Sequence, residues 1–189
     1  MEKKTREVRL REVRAQEESE NEMRIEGYAV VFDEVTDLGY LEVIERGALD
    51  NCDMSDVCLK YNHEDTTLIM ARTRNKSLEL TVDDHGLKIN AKLIDTQSNR
   101  DIYKSIQAGL LDKMSFAFVV SDANWDTVDG KDMRRITGIE KLFDVSVVDV
   151  PAYDQTEVYT RSKEVAEKEQ VEYHKLKLEK EKMLLLLSL

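Results

Sequence analysis

The sequence is poor in several residue types, and each shortage excludes a kind of site or a class of partner. Its 189 residues include one proline, two cysteines and three histidines. The spacing of Cys52 and Cys58 matches neither a zinc site nor a disulfide framework, so both are expected to be reduced thiols. Acidic residues outnumber basic ones by 39 to 28, a formal net charge of -11. Such a chain repels phosphate backbones, and nucleic acid is not an expected partner.

Long apolar runs are also missing. No stretch approaches the roughly 20 apolar residues of a membrane-spanning helix. The charged start MEKKTREVRLREVRAQEE has no apolar segment behind it of the kind that marks export. We therefore expect a protein of the cytoplasm with no membrane partner. A chain of 189 residues is long enough for one core and short for two, so a single domain with tails is predicted.

Much of the sequence alternates apolar and polar residues with the period of two that half-buried strands require. This pattern predicts a mainly β fold. The turn signals Asp84-His85-Gly86 and Asp129-Gly130 lie between neighbouring predicted strands, as hairpin connections do. The predicted strands cover residues 7–14, 23–33, 40–45, 57–61, 77–82, 87–93, 113–121, 133–137 and 141–150.

Two segments are predicted as helices. In 95–111, apolar residues recur at helical spacing, with a polar N-cap before them and a glycine near the end. The residues concerned are Ile102, Ile106 and Leu110, with Thr96 or Ser98 as the N-cap and Gly109 near the end. From Ser162 the composition changes to Glu, Lys and Leu without glycine, which favours helix. The chain is thus divided into a domain at 1–161 and a charged helical tail at 162–189. The last residues, MLLLLSL, are expected to dock on a partner, on the body or on another copy of the chain, and a solvated tail is the alternative.

The three histidines do not form a metal motif. His63 is followed by Glu64, as in zinc peptidases, but that motif needs a second histidine four residues later, where this chain has Thr67. His85 lies in a turn and His174 in the charged tail. Neither a metal nor a cofactor is expected.

Ser115 is a candidate nucleophile. In KMSFAFVVS, residues 113–121, the large side chains Met114, Phe116 and Phe118 alternate with small ones. The large face is expected to be core. Ser115 has only small neighbours on its own face, which leaves room for a substrate carbonyl. The commoner role of such a residue, a strand serine bonded to backbone, is also compatible with this segment.

An acid interrupts the apolar strand in KLFDVSVVDVPAY, residues 141–153. Asp144 needs a partner there, because a buried carboxylate without one is costly. An imidazole would serve, since an acid on one ring nitrogen leaves the other free to take a serine proton. Asp149, on the opposite face, is the competing acid, and Ser146, on the face of Asp144, is a rival nucleophile. Strand parity leaves both choices open.

Several segments, kept in order and spacing, resemble one known family. Over residues 5–161 the sequence resembles the prohead (capsid maturation) proteases of tailed phages of the HK97 type. The segments are RIEGYAVVFDE, GYLEVIERGALD, YNHED, MARTRNKSLEL, DTQSNRDIYKSIQAG, KMSFAF and FDVSVVDVPAY.

The resemblance implies a fold and a set of catalytic residues. The fold would be α+β and mainly β: a small barrel like that of herpesvirus assembly proteases, flanked by helices, with a C-terminal helical tail. The catalytic groups carried over are His63, Ser115 and Asp144. The family often has glutamate at the acid position, its herpesvirus relatives use a second histidine there, and glycine is common where this chain has Lys113 and Ala117.

The resemblance also implies an activity and partners. The chain would be a serine endopeptidase that cleaves the scaffold protein, or the scaffold-like segment of the major capsid protein, and itself. It would act inside the procapsid in the host bacterial cytoplasm, and the herpesvirus relationship is compatible with a homodimer. Backbone N–H groups of Ala152 and Tyr153 are candidate oxyanion donors. The alternative function is a non-enzymatic capsid assembly or scaffolding protein.

Overall fold

The computed structural model describes residues 4–8, 14–16, 22–65, 68–149 and 157–187. These residues contain eleven strands, two α-helices and a short 3-10 helix at Thr73–Asn75. The strands are β1 (Lys4–Val8), β2 (Arg14–Gln16), β3 (Arg24–Val31), β4 (Thr36–Asp37), β5 (Leu41–Ile44), β6 (Cys58–Tyr61), β7 (Ala71–Arg72), β8 (Leu78–Val82), β9 (Gly86–Lys92), β10 (Lys113–Val128) and β11 (Lys131–Val148). The helices are α1 (Gln97–Gln107) and α2 (Glu157–Leu187).

The strands form a seven-stranded sheet and a four-stranded sheet. The larger sheet runs β1-β10-β11-β5-β4, and β6 joins it by pairing with β11 and β7. The smaller one runs β2-β3-β9-β8. The predicted mainly β fold with helices is confirmed. The strands that the structure describes do not close into one barrel, so the barrel remains unconfirmed.

The central strand of the larger sheet is β11. It pairs antiparallel with β10, parallel with β5 over 133–136, and parallel with β6 over 144–147. The sequence predicted two strands here, at 133–137 and 141–150, but the backbone continues through Gly138 as one strand up to Val148. Residue 150 lies outside the described residues.

The other predicted strands agree with the observed strands to different extents. The predictions at 23–33, 40–45, 57–61, 77–82 and 87–93 correspond to β3, β5, β6, β8 and β9, within a residue or two at the ends. The strand predicted at 113–121 is longer, since β10 continues to Val128. Most of the strand predicted at 7–14 lies outside the described residues; its ends fall in β1 and at the start of β2.

The hairpin of β10 and β11 sets the geometry of the site. Its tip, Asp129-Gly130, has positive φ at both residues, 50° and 80°, the conformation of the turn that best matches strand twist. Between Ala117 and Ala123, register shifts interrupt the regular pairing of β10 with β11, as β-bulges do. The turn pairs Val128 with Lys131, and the register shifts farther along the hairpin bring Ser115, near the start of β10, opposite Ser146, near the end of β11.

The large face of β10 is core, as predicted. Met114, Phe116 and Phe118 are buried in the main hydrophobic cluster with residues from both sheets. Burial of each such side chain stabilises the fold by about 2 kcal/mol. Ser115 and Ala117 are buried but do not belong to that cluster, so the hydrophobic core holds the strand and leaves its small face for polar groups.

Helix α1 follows the predicted pattern at its start. Thr96 is the N-cap, and its hydroxyl accepts the N–H of Asn99 at 3.2 Å, which satisfies one of the free donors of the first turn. Ile106 is buried, whereas Leu110 lies beyond the helix and is exposed. Gly109 has a φ of +70°, the left-handed conformation common after a helix.

Helix α2 starts at Glu157, earlier than the predicted Ser162. It is held to the body by Arg134, whose guanidinium lies 3.0 Å from Glu42 of β5 and 2.7 Å from Glu169 of α2. Tyr173 stacks on Trp125 with ring centroids 6.4 Å apart. Beyond Lys177 the side chains up to Leu187 are exposed. Among the described residues, neither helix combines the length and apolar character needed to cross a membrane.

Candidate active site

Three polar residues lie side by side on one face of the larger sheet. Ser115 of β10 pairs with Ser146 of β11, and Ser146 pairs in turn with Lys60 of β6. Residues paired across strands project to the same face. Asp144, two residues before Ser146, projects to that face as well. The face opposite the hydrophobic core thus carries two hydroxyls, a carboxylate and an ammonium group.

His63 reaches this face from a tight turn after β6. Asn62 and His63 both have left-handed backbone conformations, with φ of 51° and 56°, which non-glycine residues adopt at a cost. Backbone hydrogen bonds stabilise the turn: the N–H of Asn62 donates to the carbonyl of Val147 at 3.0 Å, and the N–H of Glu64 to that of Tyr61 at 3.1 Å. The turn carries the imidazole back over the end of β11.

The imidazole connects the acid to the serine. Nδ1 of His63 lies 2.5 Å from Oδ1 of Asp144, and Nε2 lies 2.7 Å from Oγ of Ser115. The three residues predicted from sequence as catalytic are therefore brought together, and the serine lies within the expected reach of 2.6–3.2 Å for a general base.

The carboxylate determines which nitrogen carries the proton. An ionised Asp144 can only accept hydrogen bonds, so Nδ1 of His63 must donate to it. In the neutral ring, Nε2 then has a free lone pair that can accept the hydroxyl proton of Ser115. This is the tautomer in which a histidine can activate a serine.

The polar groups are enclosed. Ser115, Asp144 and Ser146 are 0% exposed and Lys60 is 9% exposed, while the side chain of His63 keeps 15% of its surface. Charges interact more strongly in such surroundings than in water. Nζ of Lys60 lies 4.0 Å from Oδ2 of Asp144, so a cation favours the ionised form of the buried acid.

The competing acid takes a different position. Asp149 is exposed, and its Oδ2 accepts a hydrogen bond from the hydroxyl of Tyr61 at 3.1 Å. Burial and this hydrogen bond raise the pKa of Tyr61. The carboxylate beside His63 is that of Asp144. Of the acids that follow His63, Asp65 pairs with Lys60 at the edge of the site.

Sequence reasoning missed Lys60. A lysine in the apolar strand VCLKY is the same kind of signal as the acid at position 144, a charge where burial demands a partner. The two lie on strands far apart in sequence, and the pairing of β6 with β11 joins them. The suggested oxyanion donors, Ala152 and Tyr153, lie outside the described residues. Within the part of the chain that is described, no three His, Cys, Asp or Glu side chains are grouped to hold a metal ion.

A buried carboxylate, an imidazole and a serine hydroxyl joined in this order form the arrangement of serine hydrolases. A family comparison agrees with it: the model of the Caudovirus prohead serine protease family matches residues 10–171. The chain belongs to this family, and it is a capsid maturation protease.

Among solved structures, the chain is similar to the bacteriophage T4 capsid assembly protease, gp21. The two share 12% sequence identity with a TM-score of 0.49, over 78% of this chain and 99% of the T4 chain. No curated protein matches the sequence significantly.

Proposed function

We propose that this chain cleaves peptide bonds by covalent catalysis, with Ser115 as nucleophile, His63 as general base and Asp144 as the group that orients and stabilises the imidazole. The observation that carries the proposal is the pair of contacts on one ring: Ser115 Oγ at 2.7 Å from Nε2 and Asp144 Oδ1 at 2.5 Å from Nδ1. The family is one of serine proteases, which fits this pair.

The reaction follows from the positions of the protons. Nε2 takes the hydroxyl proton as Oγ of Ser115 attacks the scissile carbonyl, and the imidazolium formed is stabilised by Asp144. The same proton then passes to the leaving amine, and the acyl group stays on Ser115. Water, activated by Nε2 in the same way, attacks the acyl ester and restores the serine.

Ser115 is preferred to Ser146 as the nucleophile because of the ring atoms each one faces. Ser146 Oγ lies 3.2 Å from Nδ1, the nitrogen whose proton is directed to Asp144. A protonated nitrogen cannot act as the base. Nε2, which can, faces Ser115.

The proposed substrates are the scaffold protein or the scaffold-like segment of the major capsid protein, and the chain itself. The family to which the chain belongs, the prohead serine proteases, supports this substrate class. Enclosure of enzyme and substrate in a procapsid raises their effective concentration, so modest intrinsic activity suffices. Self-cleavage, a homodimer, the division of the chain at residue 161 and the herpesvirus-like barrel stay predictions.

The test is co-expression with the major capsid protein that is the proposed substrate. Capsid protein is followed by intact mass with the wild type, Ser115→Ala and His63→Ala. Ser121→Ala, an exposed serine further along β10, and His85→Ala, an exposed turn histidine, are the matched controls. We expect processing by the wild type and both controls and none by the two site variants.

Equal processing by all five proteins would exclude chemistry at Ser115 and His63. A different result, in which the wild type assembles with the capsid protein and leaves it intact, would support the alternative function, a non-enzymatic assembly protein.

A further inference from the structure

The proposed reaction does not use Ser146, although the hydroxyl of this residue contacts both Asp144 and His63. Its hydroxyl lies 3.1 Å from Oδ1 of Asp144 and accepts the backbone N–H of His63 at 3.3 Å. It is 0% exposed, so water does not compete for these bonds. One buried hydroxyl therefore contacts both the acid and the backbone of the base.

The direction of each bond is fixed by its partner. The backbone N–H of His63 can only donate, so Ser146 Oγ accepts there. The single hydroxyl proton is then directed to Oδ1 of Asp144, which as a carboxylate can only accept. Oδ1 thus accepts hydrogen bonds from two donors, Nδ1 of His63 and the hydroxyl of Ser146. The bond from Ser146 holds this oxygen in line with the imidazole ring.

The bond to the backbone has a second consequence. His63 is in the left-handed conformation, with φ of 56°, which costs about 1–2 kcal/mol for a residue with a side chain. Such a conformation persists when surrounding contacts determine it. The N–H of His63 donates to Ser146 Oγ, whereas its neighbours Asn62 and Glu64 donate to main-chain carbonyls. The acceptor for the backbone N–H of His63 is therefore a side chain, whereas the acceptors for the two adjacent residues are main-chain carbonyls.

We propose that Ser146 is a positioning residue of the catalytic site: its hydroxyl holds the backbone of His63 and the carboxylate of Asp144 together, so that Nε2 faces Ser115 in the reactive tautomer. This inference rests on the proposed function. It assigns Ser146, a rival nucleophile in the sequence, a role that acts through His63 and Asp144 and involves no contact with substrate.

The first test is kinetic, on purified capsid protein that the wild type cleaves. Ser146→Ala removes the hydroxyl with little change in volume, and Ser146→Thr keeps it. We expect Ser146→Ala to lower kcat by about tenfold to a hundredfold, since bonds to charged groups are of that strength. KM should stay near the wild-type value, because Ser146 does not touch substrate, and Ser146→Thr should recover most of kcat.

The second test is spectroscopic and needs no catalysis. In the full chain, amide exchange of His63 is compared with that of Asn62, whose N–H donates to the carbonyl of Val147. In Ser146→Ala the His63 amide should exchange about tenfold faster relative to Asn62. Nitrogen-15 spectra of the imidazole should show loss of the single tautomer protonated at Nδ1. A general loosening of the fold would change both amides equally.

Three results would overturn the inference: wild-type kcat in Ser146→Ala, a fall in kcat with unchanged exchange and tautomer of His63, or a Ser146→Thr protein that unfolds like the wild type and is as slow as Ser146→Ala. If threonine disturbs the buried position and lowers the unfolding temperature, the comparison of amides in Ser146→Ala decides. Cleavage that survives Ser115→Ala would instead contradict the proposed function, whatever Ser146 does.

Discussion

At the scale of single residues, the site combines groups that are unfavourable when buried alone. Asp144 and Lys60 come from β11 and β6 and lie 4.0 Å apart, with the imidazole on the other carboxylate oxygen. Each charge makes the burial of the other less costly. The acid can therefore stay ionised beneath the ring, as the proposed mechanism requires.

Replacement of Lys60 should weaken catalysis without removing any proposed reacting group. Lys60→Met keeps most of the stem and removes the cation beside Asp144, so the ionised acid becomes less favourable. We expect kcat to fall by about tenfold, equivalent to about 1.4 kcal/mol. Lys88→Met, a strand lysine that pairs with Glu26 at the surface, is the control. Equal kcat in the two variants would show that the charge of Lys60 does not support Asp144.

The choice between the two acids has a direct test. Asp144→Asn should reduce kcat by about a thousandfold or more, because an amide in that position favours the wrong tautomer of His63. Asp149→Asn should change kcat by no more than about fivefold, since its bond to Tyr61 is exposed. The measurement is single-turnover cleavage of the capsid protein. The opposite ranking would transfer the role to Asp149.

At the scale of elements, the turn after β6 places the base. Asn62 tolerates the left-handed conformation better than most residues, and its side chain accepts the N–H of Asp149 at 3.2 Å. Two variants of Asn62 both lose this hydrogen bond, so a difference between them reports the effect of the backbone conformation and not that of the side chain. Asn62→Gly keeps access to positive φ, whereas Asn62→Val, which is β-branched, does not.

We expect cleavage by Asn62→Val to be at least about tenfold slower than by Asn62→Gly, because a strained turn displaces His63 from Ser115. Circular dichroism and the unfolding temperature establish whether both variants keep the fold. Similar rates in the two folded variants would mean that the conformation of residue 62 does not position the base.

The same elements explain what the sequence could predict. Alternation in KMSFAFVVS correctly identified the core face of β10, because that pattern is local. Asp144 was identified from an acid in an apolar run. Lys60 gives the same signal in VCLKY but was missed, and nothing local in either segment shows that β6 pairs with β11. The continuity of β11 through Gly138 was missed because glycine has no side chain to continue the alternation of a strand and often marks a bulge or a bend. Strand partners depend on contacts distant in sequence, and periodicity does not encode them.

At the scale of the whole molecule, a buried cation holds helix α2 to the larger sheet. Arg134 is among the largest fully buried side chains and lies between Glu42 and Glu169. Composition placed the helical tail after Ser162, and it gave no indication that Glu169 would meet an arginine of β11. Residues of α2 that look like a solvated charged tail in sequence thus include a buried contact.

Removal of Arg134 should destabilise the fold through the acids that it neutralises. We expect Arg134→Met to lower the free energy of unfolding by about 3–5 kcal/mol, measured by urea denaturation. The double variant Arg134→Met/Glu42→Met replaces the buried pair by apolar groups and should recover at least half of the loss. A double variant no more stable than Arg134→Met would show that the charge of Glu42 is not the cause.

The proposed mechanism requires Ser115 to be the nucleophile, and the residue that carries a covalent adduct tests this directly. A preparation of the full chain that cleaves capsid protein is treated with a small fluorophosphonate, and the modified residue is mapped by peptide mass spectrometry. We predict one adduct, on Ser115, that is absent in His63→Ala and that forms more slowly in Ser146→Ala. An adduct on Ser146, or full loss of cleavage with Ser115 unmodified, would contradict the proposed mechanism.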